Sequence, residues 1–339
     1  MSRMNRQWVL RQRPRGDIQD GDLELVALPL PELRDGEVLI RTVYLSLDPT
    51  NRTWMNDSEG YLPPVGLGDV MRGLTLGVVE ETKSGRWAVG DVVSTAAGGW
   101  ADYGVVHEAA VSRVHRAPGL PLTANMSVMG MTGMTAYFGV TDVLKPTPGQ
   151  TMVISAAAGA VGSIAGQVAK QKGARVIGIA GGAKKCAWLT DELGFDAAID
   201  YKNEDVGAAL DRLAPNGVDL NFENVGGDIM IAVWNRLNVG ARMAVCGMVS
   251  AYNATRMPPS PNFARLITHR MTVQGFLVLD YAPRAKEMVA EMGPWLAEGK
   301  VKWKAHVDDG LEGALTSLNR LFTGDHDGKL LVRVSEEPA

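Results

Sequence analysis

Cysteine is almost absent: the 339-residue chain carries Cys186 and Cys246 and no others. Two thiols cannot build a disulfide framework or a cysteine-rich metal site, and as packed, inert side chains they suit a reducing cytosol. Residues 1–125 contain no cysteine at all. Histidine is scarce as well, and His107, His115, His269, His306 and His326 are scattered with no metal-ligand spacing. A catalytic zinc needs thiolate and imidazole ligands brought together, so no metal is expected.

Positive charge is not in excess either. The formal net charge is −4, and a polyanion partner such as nucleic acid normally requires a clustered basic surface. A small-molecule partner is expected instead. The uncharged runs from Ala117 to Thr141 and from Pro146 to Ala169 are long enough to span a bilayer, but Gly, Pro, Thr, Asn and Gln interrupt both. They read as protein core, with no membrane partner. Nothing in the first residues marks a signal peptide, and a cytoplasmic protein is expected. No internal repeat or low-complexity segment stands out.

What is present is a globular composition, 46% apolar and 21% charged, in a chain long enough for two domains. As far as about Leu122, short apolar runs are punctuated by Gly and Pro, at Leu23–Ala27, Glu37–Leu45, Leu74–Glu80, Asp91–Thr95 and Ala101–Val106. This part is β-rich. The texture then changes: Met126–Leu144 reads as a helix with Asn125 as N-cap and Pro146 and Pro148 beyond its end.

From Thr151 strands and helices alternate. Strands are expected to Ser155 and at Arg175–Ala180, Ala197–Asp200, Val218–Phe222, Arg242–Cys246 and Met271–Phe276. Helices are expected at Ser163–Lys172, Lys184–Leu193, Val206–Leu213 and Asp228–Leu237. Such alternation predicts a doubly wound α/β fold, a parallel sheet with helices on both faces. A helix from Arg284 to Glu298, a strand at Val301–Val307, a helix at Leu311–Leu321 and a last strand at Lys329–Val334 complete the chain. This order predicts that the tail rejoins the first domain: residues 1–125 with 300–339 in one, 126–299 in the other.

The run Val153-Ile-Ser-Ala-Ala-Ala-Gly-Ala-Val-Gly-Ser163 is a buried strand entering a small-residue turn that opens a helix. Ala157-x-Gly159-x-x-Gly162 has the spacing of the dinucleotide fingerprint G-x-G-x-x-G, with alanine at the first glycine. Gly159, Ala160, Val161 and Gly162 would cradle the pyrophosphate, the alternative being a turn built for packing alone. An NAD-selective fold places an acid at the end of its second strand. Here that strand ends in Ala180-Gly181-Gly182, followed by Lys184 and Lys185. Lysine suits a 2′-phosphate, so the sequence argues for NADP(H). The alternative is a pair of solvated lysines, although cations in a helix's first turn oppose its dipole.

With no Lewis acid expected, the site must rely on hydrogen-bond donors and on the nicotinamide, which makes a conjugated C=C an easier electrophile than an isolated ketone. Several stretches together resemble the zinc-free medium-chain dehydrogenase/reductases of the prostaglandin reductase, alkenal double-bond reductase and bacterial curcumin reductase group, the last branch most of all. They are Tyr44-Leu-Ser-Leu-Asp-Pro49, Met131-Thr-Gly-Met-Thr-Ala-Tyr137, Ala156–Gly162, Leu193-Gly-Phe-Asp196, Glu223-Asn-Val-Gly-Gly227 and Cys246-Gly-Met-Val-Ser-Ala-Tyr-Asn253.

The resemblance implies a GroES-like catalytic domain made from both chain ends, a Rossmann domain between them, a homodimer, and NADPH-dependent reduction of α,β-unsaturated ketones or aldehydes. Carried over position by position, it puts Lys185 on the 2′-phosphate with Gly182 and Tyr201 at that end of the cofactor, and Thr132 near the carboxamide. Asn224 and the run Cys246, Gly247, Met248, Val249, Ser250 to Tyr252 would line the path to the nicotinamide, flanked by Phe276, Leu277 and Val278. Two positions depart from the pattern. Thr268 stands where prostaglandin reductases carry a tyrosine. His326 stands where the family usually has a cofactor-contacting asparagine, and is either its replacement or a turn histidine.

Hydride addition to the β-carbon leaves an enolate that needs a donor and a proton. Tyr252 is the first candidate, with packing against the cofactor as its alternative. Tyr61, in a Pro-bounded loop, is the second, with a surface anchor as its alternative. Asn51 and Arg52 would border the substrate pocket, or serve as structural hydrogen-bonding groups. Two other readings remain: a quinone or carbonyl reductase on the same scaffold, and a non-catalytic NADP(H)-binding sensor or scaffold.

Overall fold

The computed structural model describes residues 3–114 and 119–338, so His115 and Ala117, the start of the first uncharged run, lie outside it. The chain divides into two compact units. One comprises Met1–Asn125, Ala305–His326 and Leu330–Ala339, the other Met126–Lys304 and Asp327–Lys329. The boundary expected at 299/300 thus lies a few residues further on, and a short piece of the tail belongs to the middle unit.

In the first unit β1 (Met4–Leu10) and β2 (Leu23–Pro29) form an antiparallel ribbon. The strands β3 (Glu37–Ser46), β4 (Thr75–Thr82), β5 (Val92–Thr95), β6 (Tyr103–His107) and β7 (Ser112–Arg113) build a larger sheet, and a short helix α1 (Thr50–Thr53) follows β3. The β3–β4, β3–β6 and β4–β5 pairs are antiparallel, as the Gly- and Pro-punctuated sequence leads one to expect. β1 is an additional strand that the charged sequence around Arg3 and Arg6 conceals.

The second unit contains β8 (Thr151–Ile154), β9 (Arg175–Ala180), β10 (Ala197–Asp200), β11 (Val218–Glu223), β12 (Leu237–Val245) and β13 (Thr272–Gly275). They form one parallel sheet in the order β10-β9-β8-β11-β12-β13. Counted from β8, this is the strand order 3-2-1-4-5-6 of dinucleotide-binding folds, whose crevice opens where the order reverses beyond the carboxyl end of the first strand. The helices α2 (Met131–Phe138), α3 (Gly162–Gln171), α4 (Ala183–Ala187), α5 (Val206–Leu213), α6 (Gly227–Trp234), α7 (Val249–Tyr252), α8 (Ala264–His269) and α9 (Ala285–Ala297) connect or flank these strands. Val153, Ile177, Ile179, Leu210, Val218, Trp234 and Met243 form much of one apolar core between sheet and helices.

The chain then returns to the first unit through β14 (Ala305–Asp309), α10 (Ala314–Thr323) and β15 (Lys329–Arg333), which pairs with β3. Leu311, Leu318, Leu330 and Val332 pack with Leu10, Leu45, Leu47 and Trp100, so both chain ends share one core.

Several local expectations are corrected. The single helix at Met126–Leu144 is instead a 3₁₀ turn (Leu122–Met126), then α2, then a π-helical turn (Gly139–Leu144) closed by Lys145 at φ +52°. Asn125 is not its cap; Gly130 is, without a side-chain bond. Backbone folds back at this point because Gly133 lacks a Cβ, which would lie 1.9 Å from the Val128 carbonyl oxygen. The helix at Lys184–Leu193 likewise changes to π-helix at Trp188–Glu192. The strand at Val301–Val307 begins only at Ala305, because Gln167 of α3 holds Lys302 at both its N–H (2.7 Å) and its carbonyl (2.8 Å).

Candidate functional site

The turn after β8 is tight. Ala157 N–H donates to the Ile179 carbonyl of β9 at 2.9 Å, and Ala156 takes φ +48°, a left-handed conformation that alanine adopts at a cost. Gly162 is buried at the first position of α3, where an added Cβ would lie 2.5 Å from the Ala156 oxygen and 2.8 Å from the Ala157 Cα. Glycine here is a packing requirement, as the third position of the fingerprint demands. Gly159 is less constrained, with a nearest contact of 3.2 Å. Gly159, Ala160 and Val161 remain half-buried, and Gly159 makes a parallel bridge to Gly328.

The end of β9 is built around an acid that reading along the second strand alone misses. Asp200, at the end of neighbouring β10, accepts from Gly182 N–H at 2.7 Å, Lys202 N–H at 3.1 Å and Asn203 Nδ2 at 2.7 Å. These bonds, that from Gly182 first, hold its carboxyl below the usual range. Asp200 is committed to shaping the turn, in which Gly182 sits at φ +96°. The Tyr201 ring lies over this turn, since a Cβ on Gly181 would come within 3.0 Å of its hydroxyl. Lys184 and Lys185 follow on α4, and Lys184 Nζ pairs with Asp327 at 2.9 Å.

A second cluster joins the ends of β8, β11 and β12. Glu223 Oε1 accepts from Ser155 Oγ at 2.9 Å and from the Val225 and Gly226 N–H groups at 2.8 Å. Asn224 donates its N–H to Ser155 Oγ at 2.8 Å and Nδ2 to the Ser155 carbonyl at 2.7 Å. Cys246 and Gly247 N–H groups bond the Glu223 carbonyl, and Val249 and Ser250 N–H groups those of Asn224 and Val225. The run Cys246–Tyr252 is therefore laced onto the turn after β11. Tyr252, on α7, accepts from Met248 N–H at 3.3 Å. Burial pushes the Cys246 thiol up to about 12, so it is no thiolate at neutral pH. Of this cluster, sequence reading overlooked Glu223 and Ser155; the available signal was a carboxylate closing the apolar run of β11.

Thr132 is buried in the first turn of α2 and donates to the Ser127 carbonyl at 3.1 Å. Beyond β13, the Phe276 ring packs edge-on to Phe222 at 6.1 Å, with Leu277 and Val278 half-buried after it.

The remaining candidates belong to the first unit. Asn51 is buried, accepting from Asp48 N–H at 2.7 Å and donating to the Arg72 carbonyl at 3.2 Å. The buried Arg52 guanidinium donates to the Pro14 and Gly16 carbonyls at 3.0 Å and to Asn56 Oδ1 at 2.6 Å. Both serve the architecture of this unit. Tyr61 is half-exposed, its hydroxyl 2.5 Å from Thr50 Oγ1. His326 Nδ1 lies 3.3 Å from the Arg320 carbonyl, an arrangement in which Nδ1 donates. Among the described residues no group of three His, Cys, Asp or Glu side chains converges to hold a metal ion.

A 3-2-1-4-5-6 parallel sheet with a glycine-bounded turn at its switch point, in a chain that also carries a separate antiparallel unit, defines a dinucleotide-binding oxidoreductase of the medium-chain type. Two family models agree. The N-terminal domain of oxidoreductase matches residues 6–114, and the zinc-binding dehydrogenase model matches residues 160–298. The chain is 40% identical over 342 residues to the NADPH-dependent curcumin reductase of Escherichia coli (strain K12), covering 98% of this chain and 97% of that protein. It is 38% identical to the 2-alkenal reductase (NADP(+)-dependent) of Nicotiana tabacum, covering 98% of each. The crystal structure of CurA in complex with NADPH from Vibrio vulnificus superimposes with a TM-score of 0.93 at 42% identity, over 98% of this chain and 100% of that one. The chain belongs to the zinc-free medium-chain dehydrogenase/reductases, in the group of curcumin, prostaglandin and alkenal reductases.

Proposed function

We propose that this chain reduces the C=C bond of α,β-unsaturated ketones and aldehydes with NADPH. The observation that carries the reading is the β8–α3 turn at the sheet's switch point, closed by a glycine that admits no Cβ, joined to relatives of nearly full length whose names specify NADPH or NADP(+) and reduction of curcumin or a 2-alkenal. The residues present fit the cofactor: Gly159–Gly162 for the pyrophosphate, Lys185 with Gly182 and Tyr201 for the 2′-phosphate end, and Thr132, Asn224, Cys246–Tyr252 and Phe276–Val278 along the path to the nicotinamide. When bound, NADPH supplies hydride to the β-carbon of the enone. The chain's own task is then to orient the carbonyl and deliver a proton.

Tyr252 is the proposed donor. The Tyr252 oxygen accepts from Met248 N–H, a tether that fixes the ring relative to the turn after β11, and a phenol is chemically able to deliver a proton. Tyr252→Phe should lower kcat on an enone about 10- to 100-fold while the NADPH Kd stays within about twofold. An unchanged kcat would transfer the role to Tyr61 or to water.

The decisive test of the activity is NADPH oxidation with an enone, an alkenal and a quinone side by side, with the product identified. The expected result is a saturated ketone or aldehyde. Faster turnover of the quinone would favour a quinone reductase, and binding of NADPH with no turnover a sensor.

The reading extends to a homodimer. β13 is the edge of its sheet, all of its residues are exposed, and apolar Ile267 and Phe263 are exposed close by in sequence. An unpaired edge of this kind is a template for another strand. Light scattering should read about twice the chain mass; a monomer at micromolar concentration would overturn the dimer. The free Cys186 and Cys246 support a cytosolic location. No helix among the described residues is long and apolar enough to cross a membrane.

A further inference from the structure

Asp327 places a carboxylate beside the lysine pair near the start of α4, one of which, Lys185, is assigned to the cofactor's 2′-phosphate. Its Oδ2 lies 2.9 Å from Lys184 Nζ, and Lys185 and Lys304 add to the positive field around it. The partners are 143 residues apart in sequence, so this is no incidental neighbour pair on one helix.

The carboxylate is also held in place. Gly328, the next residue, bridges to Gly159 of the β8–α3 turn, and Lys329 N–H donates to the Lys304 carbonyl at 2.9 Å. Gly328 has φ +66°, and a Cβ there would lie 2.3 Å from that carbonyl oxygen. Backbone that admits only glycine fixes the residue before it, and Asp327 therefore stands beside both the phosphate turn and the lysine pair.

We propose that Asp327 competes with the 2′-phosphate for Lys184, and thereby sets how strongly this protein prefers NADPH over NADH. The inference rests on the reading that Lys185 holds the 2′-phosphate, and it adds Lys184, the residue before it on α4, to that end of the site. An entering phosphate must either displace the carboxylate from Lys184 or share that ammonium with a second anion. Either way Asp327 weakens binding of the phosphorylated cofactor and leaves the unphosphorylated one almost untouched. Lys184 is well exposed, so the effect is moderate and sensitive to salt.

The test is calorimetric titration of the full-length protein with 2′,5′-ADP and with 5′-AMP, which differ by the phosphate in question. Asp327→Asn should tighten 2′,5′-ADP about fivefold at low ionic strength, the scale of one screened charge contact, and leave 5′-AMP within about twofold. The gain should shrink at about 0.5 M salt, where the screening length approaches contact distance. The NADPH/NADH ratio of kcat/KM should rise in parallel.

Lys185→Ala, measured beside it, separates the two ways of failing. If Lys185→Ala lowers the NADPH preference but Asp327→Asn leaves 2′,5′-ADP unchanged or weakens it, Asp327 serves to position Lys184 and the competition is overturned. If Lys185→Ala leaves the preference unchanged, the phosphate lies elsewhere and both readings fall.

Discussion

Alanine in place of Gly162 weakens NADPH binding by at least about tenfold and costs about 1–3 kcal/mol of stability, the usual range for a methyl group forced into packed structure. The reason is local and severe. The new Cβ would meet the Ala156 oxygen at 2.5 Å and the Ala157 Cα at 2.8 Å, and both are backbone atoms with no side chain to swing aside. The turn must open, and with it the N–H groups at the start of α3 that the proposed site offers to a pyrophosphate would move away. Gly159→Ala is the matched control. Its nearest contact is 3.2 Å, so a shift of a few tenths of an ångström suffices, and binding should fall less than about threefold. Fluorescence titration with NADPH and thermal melting of both variants check this. Equal effects at the two positions would show that the turn is not held as tightly at α3 as the geometry requires.

The contrast marks what the sequence could reveal. Spacing located the turn, because a dinucleotide fingerprint is local: strand, small residues and helix follow one another within Val153–Ser163. Strand–helix alternation revealed the parallel sheet for the same reason. The hydrogen-bond partners that shape the site were hidden, because they meet only through sheet order. Asp200 reaches Gly182 from the adjacent strand, and Glu223 reaches Ser155 across the β8–β11 pair. The absence of an acid at the end of β9 was legible, whereas the acid supplied by β10 and committed to backbone donors was not. Asn51 and Arg52, read as pocket residues or structural groups, are engaged by the Arg72, Pro14 and Gly16 carbonyls, contacts that need a folded first unit to exist.

Glu223 yields the second large effect, and it depends on pH. Oε1 takes Ser155 Oγ and the Val225 and Gly226 N–H groups, whereas Oε2 is buried without a partner. Asn221, two residues earlier on the same face of β11, has its own Oδ1 buried without a partner, and its amide lies against the Glu223 carboxyl. A proton on the carboxyl removes a charge that is buried away from water. Burial pushes the carboxyl's affinity for that proton up, in opposition to the bonds at Oε1. An acid with a raised folded-state pKa stabilises the fold fully below its unfolded value, about 4.3, and loses that contribution as pH rises towards the folded value, at up to about 1.4 kcal/mol per unit. Glu223→Gln mimics the uncharged group and keeps an oxygen to accept from Ser155 Oγ and the Val225 and Gly226 N–H groups. It should match the parent protein near pH 4–5 and become progressively more stable than the parent as pH rises towards 8. Glu223→Ala should lose about 2–4 kcal/mol at every pH, because the Ser155, Val225 and Gly226 donors are left buried without an acceptor beside a new cavity. Denaturant unfolding of all three proteins from pH 5 to 8 measures this, and parallel pH profiles for parent and Glu223→Gln would show that the carboxyl is ionised throughout. Because Glu223 also anchors the backbone to which Cys246–Tyr252 is laced, Glu223→Ala should weaken NADPH binding as well, whereas Glu223→Gln should preserve it.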